Sequence, residues 1–101
     1  DGDHAALNRV ALGSQTVSVW KDARDLGRDA AAAAVVLAKG QKVAAAQTWS
    51  GGEKKVALQA QFLKPVPITA KNLDVVVKAG WIKKDDLCKG VDAAKAPAAC
   101  K

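Results

Sequence analysis

The sequence predicts an α/β fold in which parallel strands are flanked by helices. Residues 3–12 carry a helical pattern and residues 15–20 a strand pattern, with the charged residues Asp1 and Lys21 at the two ends of this segment. If another strand precedes Asp1, the segment is a strand, crossover helix and parallel strand, which places both carboxyl ends at one sheet edge. Ligands bind at that edge in open α/β sheets. We therefore expect Asp1 and Lys21 to lie close together.

Local signals define the first helix and strand. Apolar residues recur at helical spacing over residues 3–12, and Gly13 stands where a helix ends on a left-handed residue. β-branched and aromatic side chains favour a strand over residues 15–20.

The longest helix is predicted over residues 22–39, because Ala and Leu side chains fall on one face and Gly40 supplies the end. We assign this helix a structural role. A polar connector follows over residues 41–55, and the backbone is expected to reverse at Trp49-Ser-Gly-Gly.

Alternating apolar residues predict a strand over residues 56–62, and Pro65 and Pro67 prevent the segment after it from pairing on both sides. Thr69 is the predicted N-cap of a helix over residues 70–79 that ends at Gly80. The buried stripe of that helix is predicted to be Leu73, Val76 and Val77. Trp81 and Ile82 form a short apolar patch, and residues 84–89 add a helical turn.

The two cysteines, Cys88 and Cys100, are separated by a short segment near the carboxyl end. The two cysteines do not have the C-x-x-C spacing of a redox pair. They cannot form a four-ligand zinc site either, since His4 is the only histidine. We expect a disulfide, which stabilises by about 2 to 3 kcal/mol in the chain-entropy model and implies an oxidising compartment. The alternative is two reduced cysteines.

The charge and composition argue against several classes of function. A net charge of +6 suggests polyanion binding, but the basic residues form no long run, and three Trp and one Phe are too few for base stacking. No apolar run approaches the roughly 20 residues that span a bilayer. We therefore expect no nucleic-acid binding and no membrane insertion.

Catalysis has no positive support in the sequence. Asp1 and Asp3 flank a glycine and are expected to diverge, and His4 is expected to be a surface residue of the first helical turn. Ser50-Gly-Gly-Glu lacks the ending of a phosphate-binding loop. We predict no enzymatic activity, no cofactor and no metal site.

Ordered blocks over nearly the whole chain closely resemble the carboxyl-terminal third of periplasmic xylose-binding proteins. The family belongs to the type I periplasmic binding proteins that serve sugar ABC transporters. The matching blocks are residues 1–10, 13–21, 25–31, 38–43, 48–56, 62–69, 72–80 and 83–87.

The resemblance implies the carboxyl-terminal portion of a two-lobed α/β fold, incomplete without a companion segment. It divides the chain into a helix and strand ending at the ligand cleft (1–21), a long helix and hinge-region connector (22–55), an extended crossover strand (56–69) and a carboxyl-terminal helix with a disulfide-closed tail (70–101). The implied partners are a monosaccharide such as xylose, the remaining amino-terminal part of the protein and an ABC permease. The implied location is periplasmic or otherwise extracytoplasmic, as for a secreted protein.

The resemblance also implies two sugar contacts. Asp1 matches the family's hydroxyl-accepting aspartate, and Lys21 matches its hydroxyl-donating lysine. Trp20 stands where the family has Tyr, and core packing is its expected role. The family draws its aromatic, Arg and Asn contacts from earlier segments, so we expect little sugar binding by this chain alone.

Other interpretations remain open at this point. Without the resemblance, Asp1 and Lys21 are an exposed terminal aspartate and a solvated lysine. A small exported basic protein that binds polyanions, or that serves a structural or sensing role, is the alternative function.

Overall fold

The computed structural model describes residues 1–44 and 47–101. Helices in this part of the chain are α1 (His4–Leu12), α2 (Ala23–Ala38), α3 (Asp74–Lys78) and α4 (Lys84–Leu87), with 3-10 turns at Ala93–Lys95 and Ala98–Cys100. Its strands are β1 (Ser18–Trp20), β2 (Gln47–Trp49), β3 (Leu58–Ala60) and β4 (Val66–Ile68). The chain divides into two compact units, Asp1–Lys21 with Pro65–Lys101 and Asp22–Lys64.

Helix α1 of the first unit forms as predicted and buries one face. Asp3 is its N-cap rather than its first residue, and the Asp3 carboxylate accepts a hydrogen bond from the Ala6 N–H at 2.9 Å. Gly13 ends the helix in the left-handed region, at φ 82°. The buried face consists of Ala6, Leu7, Val10 and Ala11.

Strand β1 is shorter than predicted, because the residues before it are tied to α1. Gln15 accepts a hydrogen bond from Arg9 Nε and donates one to the Val17 carbonyl, both at 2.9 Å. These bonds hold residues 15–17 in a loop. The strand then begins at Ser18, with Ser18 and Trp20 buried and Val19 exposed.

The strand pairs of the described residues are antiparallel, whereas parallel strands were predicted. β1 pairs with β4 in the register Ser18↔Ile68, Val19↔Pro67 and Trp20↔Val66. Pro67 lacks an N–H, so it fits a strand that pairs on one side only. The predicted parallel neighbour of β1 would precede Asp1, and the β1–β4 ladder does not test it.

Helix α3 is shorter than the predicted helix over residues 70–79, and Thr69 is not its N-cap. The Asn72 side chain accepts the Thr69 N–H at 2.7 Å and donates to the Pro67 carbonyl at 3.0 Å. The Thr69 hydroxyl accepts the Lys71 N–H at 3.3 Å, which closes a turn. Such local side-chain bonds compete with helix formation, so the helix starts only at Asp74.

The first unit encloses the core of the described structure. Apolar side chains from α1, the inner face of β1 and β4, and the segment from Leu73 to Leu87 pack together. The buried members of this cluster are Leu7, Val10, Ala11, Trp20, Ile68, Leu73, Val76, Ile82 and Leu87. The predicted burial of Leu73 and Val76 is confirmed, while Val77 is only partly buried.

A disulfide and hydrogen bonds hold the carboxyl-terminal tail, which follows α4, within the first unit. Cys88 and Cys100 form the predicted disulfide, with their Cα atoms 5.6 Å apart. Asn8 on α1 donates to the carbonyls of Leu87 and Lys89, both at 2.9 Å. The carboxyl end is therefore part of the compact unit.

In the second unit, α2 confirms the predicted long helix, and Asp22 caps it by accepting the Arg24 N–H at 3.0 Å. None of its side chains is buried, and Leu26 and Leu37 are 60% and 61% exposed. In the part of the chain that the structure describes, no helix is both long and apolar enough to cross a membrane.

Strand β2 lies inside the segment predicted as a polar connector and pairs antiparallel with β3 in the register Gln47↔Ala60, Thr48↔Gln59 and Trp49↔Leu58. The chain therefore reverses after Trp49, as expected. β3 is the central part of the strand predicted over residues 56–62. The predicted crossover over residues 56–69 contains two separate short strands, β3 and β4.

Candidate functional site

Asp1 and Lys21 meet at the surface of the first unit. The chain leaves Asp1, runs through α1 and returns along β1, so that Lys21 Nζ lies 2.8 Å from Asp1 Oδ1. The Asp1 side chain is 80% exposed and that of Lys21 is 64% exposed. An ion pair so exposed is screened by water and adds little to stability. Both charged groups are accessible to a polar ligand.

Gly2 links Asp1 to the core and is held on three sides. Its N–H donates to the buried Ser18 hydroxyl at 3.2 Å, and its carbonyl accepts from Trp81 Nε1 at 2.6 Å. Its φ is +74°, and a Cβ at this position would lie 2.5 Å from Cδ1 of Trp20. Both the backbone conformation and the available space therefore require glycine.

Trp20 lies beneath this backbone and is 7% exposed, which confirms the predicted core role. Its ring centroid is 5.8 Å from that of Trp81, in a tilted arrangement. Within the described residues, the buried Trp20 indole N–H has no hydrogen-bond partner.

His4 is exposed on the first turn of α1, as expected, but it also fixes Trp81. Its Nε2 lies 2.8 Å from the Trp81 carbonyl oxygen, and the two rings form an edge-to-face pair 6.5 Å apart. Because a carbonyl oxygen only accepts, the His4 imidazole donates this bond, which ties the first turn of α1 to Trp81. Asp3 is occupied as the α1 cap, so Asp1 is the carboxylate of this segment that faces solvent beside an ammonium group.

Two other ion pairs have perturbed pKa values but lie away from Asp1 in the sequence. The Arg24 guanidinium lowers the pKa of the Asp22 carboxyl, with a contact of 2.6 Å. On α3, the Lys78 ammonium lies 2.8 Å from the Asp74 carboxylate and lowers the pKa of Asp74. The Asp74–Lys78 pair is exposed and has the i,i+4 spacing that stabilises a helix locally. The Asp22 side chain is only 14% exposed and caps α2, so we assign its pair with Arg24 to the start of that helix.

A cluster of three or more metal-ligating side chains is not found among the described residues. The site offers one hydrogen-bond-accepting carboxylate and one donating ammonium at an exposed strand end. This combination suits a neutral ligand with neighbouring hydroxyl groups, because each hydroxyl both donates and accepts.

Sequence reasoning identified the Asp1–Lys21 pair but missed the groups that support it, namely Gly2, Ser18 and Trp81. The available signal was a glycine immediately before a helix-capping aspartate. The contact of Gly2 with Trp81 spans almost the whole sequence, and no local pattern indicates it.

Comparison with solved structures places this fold in a class of protein, the carbohydrate-binding proteins of transporters. The structure is similar to the crystal structure of a carbohydrate transporter solute binding protein from Chloroflexus aurantiacus in complex with D-glucose, with a TM-score of 0.69 and 31% identity. The match covers 85% of this chain and 25% of that chain. The likeness supports a partial α/β fold of the periplasmic sugar-binding kind.

Comparison with known sequences identifies relatives within this class of sugar-binding proteins. The chain is 36% identical to the D-xylose-binding periplasmic protein of Escherichia coli and 35% identical to that of Haemophilus influenzae, over 88 residues in each case. Its homologues are therefore D-xylose-binding periplasmic proteins, which confirms the resemblance recognised in the sequence. The chain spans about a quarter of these relatives, since each match covers 26% of the relative. No protein-family model matches the sequence.

Proposed function

We propose that this chain forms part of a two-lobed extracytoplasmic protein that binds a monosaccharide such as xylose and delivers it to an ABC permease. The observation that carries this proposal is the exposed Asp1–Lys21 pair, 2.8 Å apart, in a chain whose homologues are named for xylose binding. The related solved structure, which contains D-glucose, supports a monosaccharide as the ligand.

Asp1 and Lys21 have complementary roles in the proposed site. The Asp1 carboxylate accepts hydrogen bonds from two neighbouring sugar hydroxyls, and the Lys21 ammonium donates to another hydroxyl oxygen. A hydrogen bond to a charged group contributes about 1.5 to 3 kcal/mol. The bonds become strong only when water is excluded, so the exposed pair needs a second protein surface to cover the sugar.

That covering surface is provided by the companion segment that the resemblance implies. Sugar bound between two lobes favours the closed conformation, because only that conformation makes both sets of contacts. Transport then requires no covalent step in the binding protein, and the relatives are named as binding proteins. The Cys88–Cys100 disulfide is compatible with the proposed oxidising, extracytoplasmic location.

Calorimetric titration of the full-length protein with D-xylose and D-glucose tests the proposal. We expect Asp1→Ala to weaken sugar binding roughly ten- to a hundredfold, from the loss of a charge-assisted bond, and Lys21→Ala to act in the same direction. Asp86→Ala and Lys71→Ala are matched controls, because both residues are exposed and lie elsewhere in the first unit; they should leave the affinity unchanged.

Two outcomes of this titration would contradict the proposal. If Asp1→Ala and Lys21→Ala bind sugar as tightly as the unmodified protein, these residues are not ligand contacts. If no monosaccharide binds, but an acidic polymer does with a steep dependence on salt concentration, the polyanion-binding alternative is correct.

A further inference from the structure

The Asp1 carboxylate is supported through its backbone. Its side chain extends into solvent and contacts Lys21, whose own side chain is flexible and exposed. Two such side chains lose considerable rotamer entropy when they adopt one geometry. The place from which the carboxylate extends, the Asp1 Cα, depends on how firmly the adjacent peptide groups of Gly2 are fixed.

Trp81 is the residue that reaches this backbone from the distant part of the sequence. Its indole N–H donates to the Gly2 carbonyl at 2.6 Å, and its own carbonyl accepts from His4 Nε2 at 2.8 Å. Trp81 is thus bonded to residues on both sides of Asp3, the cap of α1. Its ring also packs on Trp20, which occupies the space where a Gly2 side chain would lie.

Gly2 needs this support because glycine has the largest range of backbone conformations. At φ +74°, rotation about its backbone bonds would swing Asp1 along an arc away from Lys21. Binding groups must be held to within about 0.5 Å to be effective. The Ser18 hydroxyl fixes the Gly2 N–H, and Trp81 fixes its carbonyl, so that the two bonds together leave little rotation.

We infer that Trp81 is a positioning residue for the sugar site, which acts through the Gly2 carbonyl to hold the Asp1 carboxylate beside Lys21. The inference rests on the proposed function for its effect on sugar binding. The close placement of Trp81, Gly2 and the Asp1–Lys21 pair does not depend on that function, because it follows from the hydrogen bonds and the ion pair described above.

A double-mutant cycle in the full-length protein tests this role, with the dissociation constant for D-xylose as the readout. Trp81→Phe removes the indole N–H and keeps an aromatic ring, and we expect it to weaken binding about five- to tenfold, the effect of one lost hydrogen bond. In the Asp1→Ala background, the same change should have an effect of less than twofold. Trp49→Phe is the matched control, an exposed Trp in the second unit, and should not change the affinity.

The outcomes separate the inference from the proposed function. If Asp1→Ala weakens binding but Trp81→Phe does not, the positioning role is wrong and the site stands. Equal losses from Trp81→Phe in both backgrounds mean a general structural effect and also overturn the inference. If Asp1→Ala itself has no effect, the proposed site is wrong.

A second readout requires no sugar. The NMR chemical shift of the Asp1 carboxyl carbon reports its contact with Lys21, so Lys21→Ala should move that resonance. We expect this movement to fall by at least half in the Trp81→Phe background and to remain in the Trp49→Phe background. An undiminished movement would overturn the inference. If Trp81→Phe does not fold, Trp81→Leu, which also lacks the indole N–H that donates to the Gly2 carbonyl, is the second variant for the same measurement.

Discussion

Replacement of Gly2 by alanine should destabilise the first unit far more than a similar change at another left-handed glycine. The backbone at φ +74° costs a non-glycine residue about 1–2 kcal/mol. The added Cβ would lie 2.5 Å from the Trp20 ring, and forcing an extra methyl group into packed surroundings costs about 1–3 kcal/mol more. The total expected loss in the free energy of unfolding is therefore about 2–5 kcal/mol.

Gly13 provides a matched comparison. Its φ is +82°, yet nothing lies within 4 Å of an added Cβ, so Gly13→Ala should cost only the backbone term of about 1–2 kcal/mol. Urea unfolding of the two variants, followed by tryptophan fluorescence, measures the difference. If Gly2→Ala is no less stable than Gly13→Ala, the contact with Trp20 does not constrain this site and our explanation of Gly2 is refuted.

Three further predictions concern the core, the tail and α3. Leu7→Ala should lower the free energy of unfolding by about 2–5 kcal/mol, because this α1 side chain is fully buried; thermal unfolding measures the loss. Replacing both Cys88 and Cys100 by serine should lower it by about 3 kcal/mol, since the disulfide closes a short loop; chemical denaturation measures it. Lys78→Ala should raise the Asp74 pKa towards its ordinary value, because the ammonium that lowers it is lost; carbon NMR titration measures the pKa.

The pH dependence of the α3 ion pair follows from the same shift. The pKa of Asp74 is lower in the folded protein than in the unfolded chain, so the contribution of the pair to stability is fully present above the pKa of the unfolded chain. That contribution is lost as the pH falls through the folded pKa. An acid titration in which Lys78→Ala leaves the Asp74 pKa unchanged would contradict this explanation.

The other two predictions have controls within the chain. Leu12→Ala truncates an exposed leucine of the same helix and should cost much less than Leu7→Ala; equal losses would mean that Leu7 is not a core residue. Reduction of the disulfide in the unmodified protein should reproduce the effect of the double serine variant. A reduced protein as stable as the oxidised one would mean that the disulfide does not support the tail.

The sequence predicted which face of α2 is apolar, but it did not predict that this face would be exposed. Helical spacing placed Ala and Leu side chains on one face of this helix, and none of the α2 side chains is buried in this structure. A helix pattern shows which face is apolar and gives no information about what covers it.

Helix ends and the disulfide could be predicted from the sequence because their signals are local. Gly13 ends α1, Asp22 caps α2, and Cys88 pairs with Cys100 across a short intervening loop. Each signal depends on residues near one another in the chain. Where local signals competed, as the Asn72 side chain did with the expected start of α3, the sequence pattern gave the wrong boundary.

Local residue patterns were thus enough to predict the main helices, the disulfide and the two charged residues of the candidate site. The antiparallel pairing of β1 with β4 and the support of Asp1 by Gly2 and Trp81 became visible only in the folded chain. These contacts join residues that are far apart in the chain. They form only when packing of a shared core brings the segments together, so no local pattern of residues specifies them.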